Sequence, residues 1–253
     1  MRKIILVWCI LIPLQCLAIS VEESTKELIY ADLRSKGLVL PDSGVTIIKS
    51  NKVNSFIANE EDNPLNDPMR QDYVKKLAEM KATGYAKRYS EEASYLLSMK
   101  NQKASTDFDS DPQDTHFKTN LSKIKFAFPY VAIPFIKPES LIGYAPKGAW
   151  KNGWTGFAVY FNDDKLGTCK VAVTNFKVSH GGVQLIDQDI TYDVNEKPTS
   201  LLIEGSPSSG FFYHIGWYDD TYMRSISCAT QSFDATIKNQ LISFAKKLDA
   251  SSI

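Results

Sequence analysis

Residues 211–218, Phe-Phe-Tyr-His-Ile-Gly-Trp-Tyr, place strong demands on any fold that contains them. At the two-residue period of a β-strand, Phe211, Tyr213, Ile215 and Trp217 line one face. Phe212, His214, Gly216 and Tyr218 line the other. The first face is apolar throughout and requires a core to cover it. The second is aromatic with polar tips, which suits either a second packed layer, for example under a helix, or a binding face. Gly216 in the strand interior marks a bulge or the close approach of another group.

The same alternation recurs at 154–161, 168–178, 183–194, 199–203 and 222–228. Turns are expected at 162–164 and at Asp219-Asp220, and a tight hairpin at His180-Gly181-Gly182. Residues 126–135 are aromatic and β-branched, but Pro129 and Pro134 confine them to an edge or irregular strand. The chain then closes with a helical stripe, Phe233, Ile237, Leu241, Phe244 and Leu248, capped by Ser232. Upstream, Ser20 and Glu23 form a capping box that opens a helix through Leu28, Ile29 and Leu33, and 45–48 reads as a short strand. Asp67-Pro68 starts a further helical stretch over 68–100, interrupted at Gly84 into two helices or one kinked helix. Its tyrosines, Tyr73, Tyr85 and Tyr89, read as a packed face. Strand runs closed by a helix predict an α+β fold. We expect a largely antiparallel β-sheet, a C-terminal packing helix and an N-terminal helical segment. The expected organisation is 1–18 signal peptide, 19–105 mainly helical, 106–123 polar linker and 124–253 β-rich.

Export is the second strong expectation. Arg2 and Lys3 precede an uncharged apolar run over 4–14, and Cys16 and Ala18 occupy positions −3 and −1 of a cut before Ile19. The run is too short to span a bilayer. Lipidation at Cys16 is disfavoured because Gln15 is too large for the residue next to the cut. Removing this segment leaves Cys169 and Cys228, an even pair that in an exported protein predicts a disulfide. Lys plus Arg and Asp plus Glu each total 29 with no basic tract, so nucleic acid and anionic membranes are not expected partners.

Site signals are sparse. The three histidines, His116, His180 and His214, lack the helical spacing of a zinc motif, and no metal or cofactor is expected. Asp107, Asp109 and Asp111 alternate like the start of a calcium loop, but Pro112 and Lys118 stand where Gly and Glu are needed. The pairs Asp163-Asp164 and Asp219-Asp220 occupy turns, and Asp187 and Asp189 share one strand face. No serine has a nucleophile-elbow context. Trp150 and Trp154, among glycines and lysines, either plug the open end of the sheet or stack on sugars or a partner. The candidate binding residues are therefore Trp150, Trp154, His214 and Tyr218.

In this general texture, a short leader followed by a helical arm and an aromatic sheet with one disulfide, the chain resembles uncharacterised secreted proteins of Gram-negative bacteria. That resemblance implies no residue role. The leading expectation is a secreted or periplasmic binding or interaction protein without catalysis, its partner a protein or glycan. The rivals are a hydrolase with a dispersed site and a glycan or small-ligand binder using the sheet aromatics. A cleft where His214 meets Asp and Ser would favour the hydrolase.

Overall fold

Helix and strand periods separate in space as they do along the chain. The computed structural model describes residues 44–49, 68–102, 120–129, 133 and 136–251, all within the unit Pro41–Ile253. The expected signal peptide, the N-terminal helix and residues 106–119 of the polar linker lie outside the described residues, whereas Leu121–Lys123 of that linker form a 3₁₀ turn. The first elements are β1 (Gly44–Ile48), α1 (Pro68–Thr83), β2 (Ala86–Lys87) and α2 (Glu91–Met99). Strands β3 (Leu141–Trp150), β4 (Trp154–Asp163) and β5 (Gly167–Asn175) follow, then the single turn α3 (Phe176–Ser179). The chain continues through β6 (Gly182–Ile186), β7 (Tyr192–Val194), β8 (Lys197–Ser206), β9 (Gly210–Tyr218) and β10 (Tyr222–Thr230), and α4 (Thr236–Ala250) is the last described helix.

The main sheet has 8 strands in the order β2-β8-β9-β10-β5-β4-β3, with β7 also on β8. Every pairing in it is antiparallel except β2 with β8, so the fold is α+β as expected. One face lies under α4, which buries Ile237, Leu241, Ala245 and Leu248 against Val171, Ile215, Ile226 and Trp217. Phe161 stacks on Phe244 at 5.7 Å. Asp249, near the helix end, accepts hydrogen bonds from Trp217 Nε1 (3.1 Å), Lys197 Nζ (2.7 Å) and Asn195 Nδ2 (3.0 Å). On the opposite face α2 packs Ala93, Leu96 and Met99 over Ala158, Ala172, Phe212 and Ala229. Both faces of the central strands are therefore covered, at least in part, by helix.

Helix α1 packs along β8 between that strand's pairings with β7 and β2. The Ile203 N–H donates to Met80 Sδ (3.3 Å), and Lys76 pairs with Glu204 (3.0 Å). Gly84, at φ +92, ends α1 where a side-chain-bearing residue would be strained, and Ser90 caps α2 through the Ala93 N–H. The stretch 68–100 is thus two helices. Its tyrosines divide: Tyr85 packs on Phe211 and Phe233, whereas Tyr89 is 61% exposed.

Several local expectations need correction. The glycine-rich stretch before Trp154, not among the expected strands, is strand β3; as an edge strand with register shifts it tolerates Gly143, Pro146 and Gly148. The turn at His180-Gly181-Gly182 does not make a hairpin. Asn175 Oδ1 accepts the Val178 N–H and starts α3, and His180, at φ 51, ends it. β6 then pairs in parallel with β1 in a separate sheet. Asp187 and Asp189 sit on a 3₁₀ turn between β6 and β7 rather than on one strand face. α4 begins at Thr236, whose N–H bonds Asp234 Oδ1 (2.8 Å), so Ser232 is not its cap. Of 126–135, the described residues make one isolated bridge, Phe126 to Trp154.

Two substitutions test this packing by chemical denaturation. Leu241→Ala, at a fully buried site, should cost about 2–5 kcal/mol. Asp249→Ala should cost roughly 3–5 kcal/mol, because it strands Lys197 and the Trp217 N–H. An unchanged midpoint in either variant contradicts the docking of α4 described here.

Candidate functional site

Register fixes the face opposite α4 as a set of rows. Lys170 stands opposite Ser227, and Ser227 opposite His214. The next row is Ala145, Ala158, Ala172, Ser225, Gly216 and Ser200, small side chains across six strands. Beyond it lie Lys147, Gly156, Thr174, Met223 and Tyr218. The result is a floor of small residues bordered by long ones. Solvent reaches its borders: Lys147, Lys170, Ser200, His214, Tyr218 and Met223 are all partly exposed.

Polar groups converge over Gly216. A Cβ there would stand 3.0 Å from Tyr218 Oη and 3.5 Å from both His214 Nε2 and Ser200 Oγ. The glycine is therefore the close approach its strand position implied. The other ring nitrogen of His214, Nδ1, shares a hydrogen bond with Ser227 Oγ (2.8 Å), and Phe212 stacks on the ring at 5.8 Å. Tyr73 of α1 reaches the same cluster through a hydrogen bond with Ser200; its phenol is pushed up to about 12 by burial first, then by Asp189 and Tyr218. Tyr73, Ser200 and Ser227 were not among the expected site residues. Cross-strand register joins Ser200 and Ser227 to His214, and the packing of α1 on β8 brings in Tyr73; a single sequence displays neither.

The electrostatics around His214 are unusual. Its pKa falls from the ordinary 6.5 to about 4, first because burial disfavours the imidazolium, then because Lys170 and Lys147 lie near it. Both lysines are themselves held below their ordinary value. For Lys147 burial is the main cause, followed by Lys170. For Lys170 it is burial, partly offset by Glu92. The ring is consequently neutral at physiological pH.

Trp150 and Trp154 do not join this cluster. They close the β3–β4 turn, edge to face at 5.7 Å, with Lys125 over Trp150 at 5.9 Å. Trp154 pairs through its backbone with 125–127, and its buried Nε1 has no hydrogen-bond partner among the described residues. From His214's row on β9, Trp154 is three strands away and six residues along, roughly 14 Å by 20 Å. The four expected residues thus form two separate pairs. A groove of about 530 Å³ between α1 and 187–192, lined by Val74, Leu77, Met80, Ile190 and Tyr192, contains none of them. Among the described residues no group of three His, Cys, Asp or Glu side chains could hold a metal ion. His116 lies outside the described residues. Comparison with family models, with curated proteins and with solved structures returns no match, so the site is read from its geometry.

The His214 shift carries a definite sign. Between about pH 4 and 6.5 the unfolded chain holds a proton on this ring that the folded chain does not. The stability it contributes is complete above pH 6.5 and is lost as pH falls through that window. Melting curves should therefore show a steeper loss of stability on acidification for wild type than for His214→Gln. The ring's NMR titration should centre near 4; a midpoint near 6.5 contradicts the buried, lysine-flanked placement.

Proposed function

We propose that this is an exported, non-catalytic binding protein that holds a small polar ligand over Gly216, between His214, Tyr218 and Ser200. The observation that carries the reading is the convergence of Tyr218 Oη, His214 Nε2 and Ser200 Oγ, all on partly exposed residues, over the buried Gly216. An imidazole nitrogen with two hydroxyls offers donors and acceptors to a hydroxyl- or carbonyl-bearing ligand. This arrangement suits a small molecule better than a protein surface, which would need a broader apolar patch.

Hydrolysis fits less well. His214 and Ser227 do meet, as the hydrolase reading required, but Ser227 is only 1% exposed and a nucleophile must be reached. A base histidine is normally oriented by an acid that stabilises its imidazolium. Here two lysines act on the ring instead and oppose that charge. Glycan stacking on the tryptophans is also disfavoured, because Trp150 and Trp154 pack against each other edge to face. Export, to the periplasm or beyond a Gram-negative cell, is supported by the leader-like residues 1–18. The Cys169–Cys228 disulfide is compatible with an oxidising compartment, and among the described residues no helix is long and apolar enough to cross a membrane.

Two measurements test the proposal. The exported protein should have the intact mass of a chain starting at Ile19; a mass that retains residues 1–18, or adds lipid at Cys16, refutes soluble export. In a small-molecule thermal-shift screen, binding should weaken roughly tenfold or more in Tyr218→Ala and His214→Ala, about one lost hydrogen bond each. Trp150→Ala should bind as wild type does. Ligands whose binding follows Trp150 and ignores Tyr218 would move the site to the β3–β4 turn.

A further inference from the structure

We propose that the groove between α1 and residues 187–192 is a second ligand site, which takes a neutral aliphatic amide with its tail along Val74, Leu77 and Ile190 and its head against Arg70 and Asp189. The site goes beyond the reading above and is separate from it, since none of His214, Tyr218 and Ser200 lines the groove. Spacing along α1 builds one wall. Arg70, Val74, Leu77 and Lys81 follow at intervals of four, three and four, so they stand on one face of the helix. At the helical rise the stretch from Val74 to Lys81 is roughly 10 Å long. Ile190 and Tyr192 face it from the other side. The volume, about 530 Å³, lies within the roughly 300–1,000 Å³ of small-molecule pockets, and Val74 is left 42% exposed in it.

Polar groups behind Gln188 define the head. Gln188 lines the groove, and its Oε1 meets Arg70 Nη2 at 3.5 Å, the outer limit of a hydrogen bond. The same nitrogen stands 3.3 Å from Asp189 Oδ1. The Arg70 side chain is only 11% exposed, yet among the described residues its buried Nε and Nη1 have no hydrogen-bond partner, and neither has Asp189 Oδ1. This corner therefore lacks both an acceptor and a donor, a combination that destabilises a fold until something fills it. Charge decides what fits. Asp189 already balances Arg70, and Asp187 also lines the groove, so a carboxylate head would enter against two like charges. An ester would satisfy the guanidinium alone. An amide meets both needs: its carbonyl oxygen accepts from the Arg70 N–H groups, and its own N–H donates to Asp189 Oδ1. The group that now touches Arg70 from the groove is itself an amide, that of Gln188. Gln188 is exposed and weakly held, so its side chain can swing aside to admit the ligand.

The test is calorimetric titration of the full exported chain with octanamide, methyl octanoate and sodium octanoate, each below its aggregation limit. Octanamide should bind saturably. Methyl octanoate should bind roughly tenfold or more weakly, because it cannot donate to Asp189, and octanoate more weakly still. Val74→Glu places a longer, charged side chain in the path of the tail at an exposed helix position. It should melt as wild type does and lose roughly tenfold or more in octanamide affinity. Arg70→Met should weaken octanamide and methyl octanoate alike, since both place a carbonyl there. Should that variant fail to fold because Asp189 is left unpaired, the three ligands and Val74→Glu still decide. Absence of saturable octanamide binding overturns the inference, as does octanoate or the ester binding as tightly as the amide, or an unchanged octanamide affinity in Val74→Glu. Octanamide binding that is lost in Tyr218→Ala but kept in Val74→Glu would place the amide over Gly216, overturning the groove and leaving the first site standing.

Discussion

Trp217, next to last in β9, is fully buried beneath α4, and its indole N–H donates to Asp249. An indole set that deep brings a polar hydrogen into the core, where an unmet donor costs on the order of 1–3 kcal/mol. Asp249 resolves that, but only if its own charge is met. Lys197 on β8 meets it at 2.7 Å, Arg224 on β10 stands at 3.9 Å, and Asn195 adds a further donor. The helix is thereby fixed in rotation and depth against three adjacent strands. Its stripe of Ile237, Leu241 and Leu248 can then cover the sheet only one way. With one face of β8, β9 and β10 sealed by α4, whatever the protein binds on this sheet must approach from the other.

That other face is only partly closed. Helix α2 covers the end that carries Phe212 and Ala229, and α1 runs along the β8 edge. Between them the side chains become small or polar, and the chain places an imidazole and hydroxyls where apolar packing would have been more stabilising. A polar cluster that is partly dry and flanked by two lysines costs stability, and natural proteins concentrate such costs at sites of function. The His214–Ser227 bond offsets part of the cost by satisfying one ring nitrogen, and the other is left facing Gly216. The site therefore holds a neutral imidazole at physiological pH.

Much of this was legible where one residue's neighbours in sequence decide its environment. The strands at 154–161, 199–203, 211–218 and 222–228 announce themselves by alternation, and Pro68 and Gly84 mark the limits of α1 by their backbone preferences. What failed did so for physical reasons. β3 was obscured because an edge strand does not need β-formers throughout. The 183–194 run alternates, yet its two halves serve different sheets, a partition that only long-range pairing decides. Trp150 and Trp154 left a plug and a stacking platform both open, because sequence shows residue type and not ring orientation. His214 and Tyr218 were recoverable from the glycine between them. Their partners Ser200, Ser227 and Lys147 come from β8, β10 and β3, and only the finished register brings them to one floor.

The disulfide ties these two halves of the architecture together. Cys169 and Cys228 are directly opposed on β5 and β10, with Cα atoms 4.1 Å apart, and both face the α4 core. The residues next to them, Lys170 and Ser227, are opposed in the same ladder and point the other way. A slip of one residue between these strands would exchange the faces, burying Lys170 in the core and turning the cysteines toward the floor. Hydrophobic patterning already opposes such a slip, and the covalent link forbids it. On the chain-entropy model a closure of 59 residues also stabilises by about 4 kcal/mol through the unfolded state. The larger consequence is positional. A buried bond on the structural face fixes the pairing of Lys170 with Ser227, and through Ser227 that of His214, on the face that carries the proposed site.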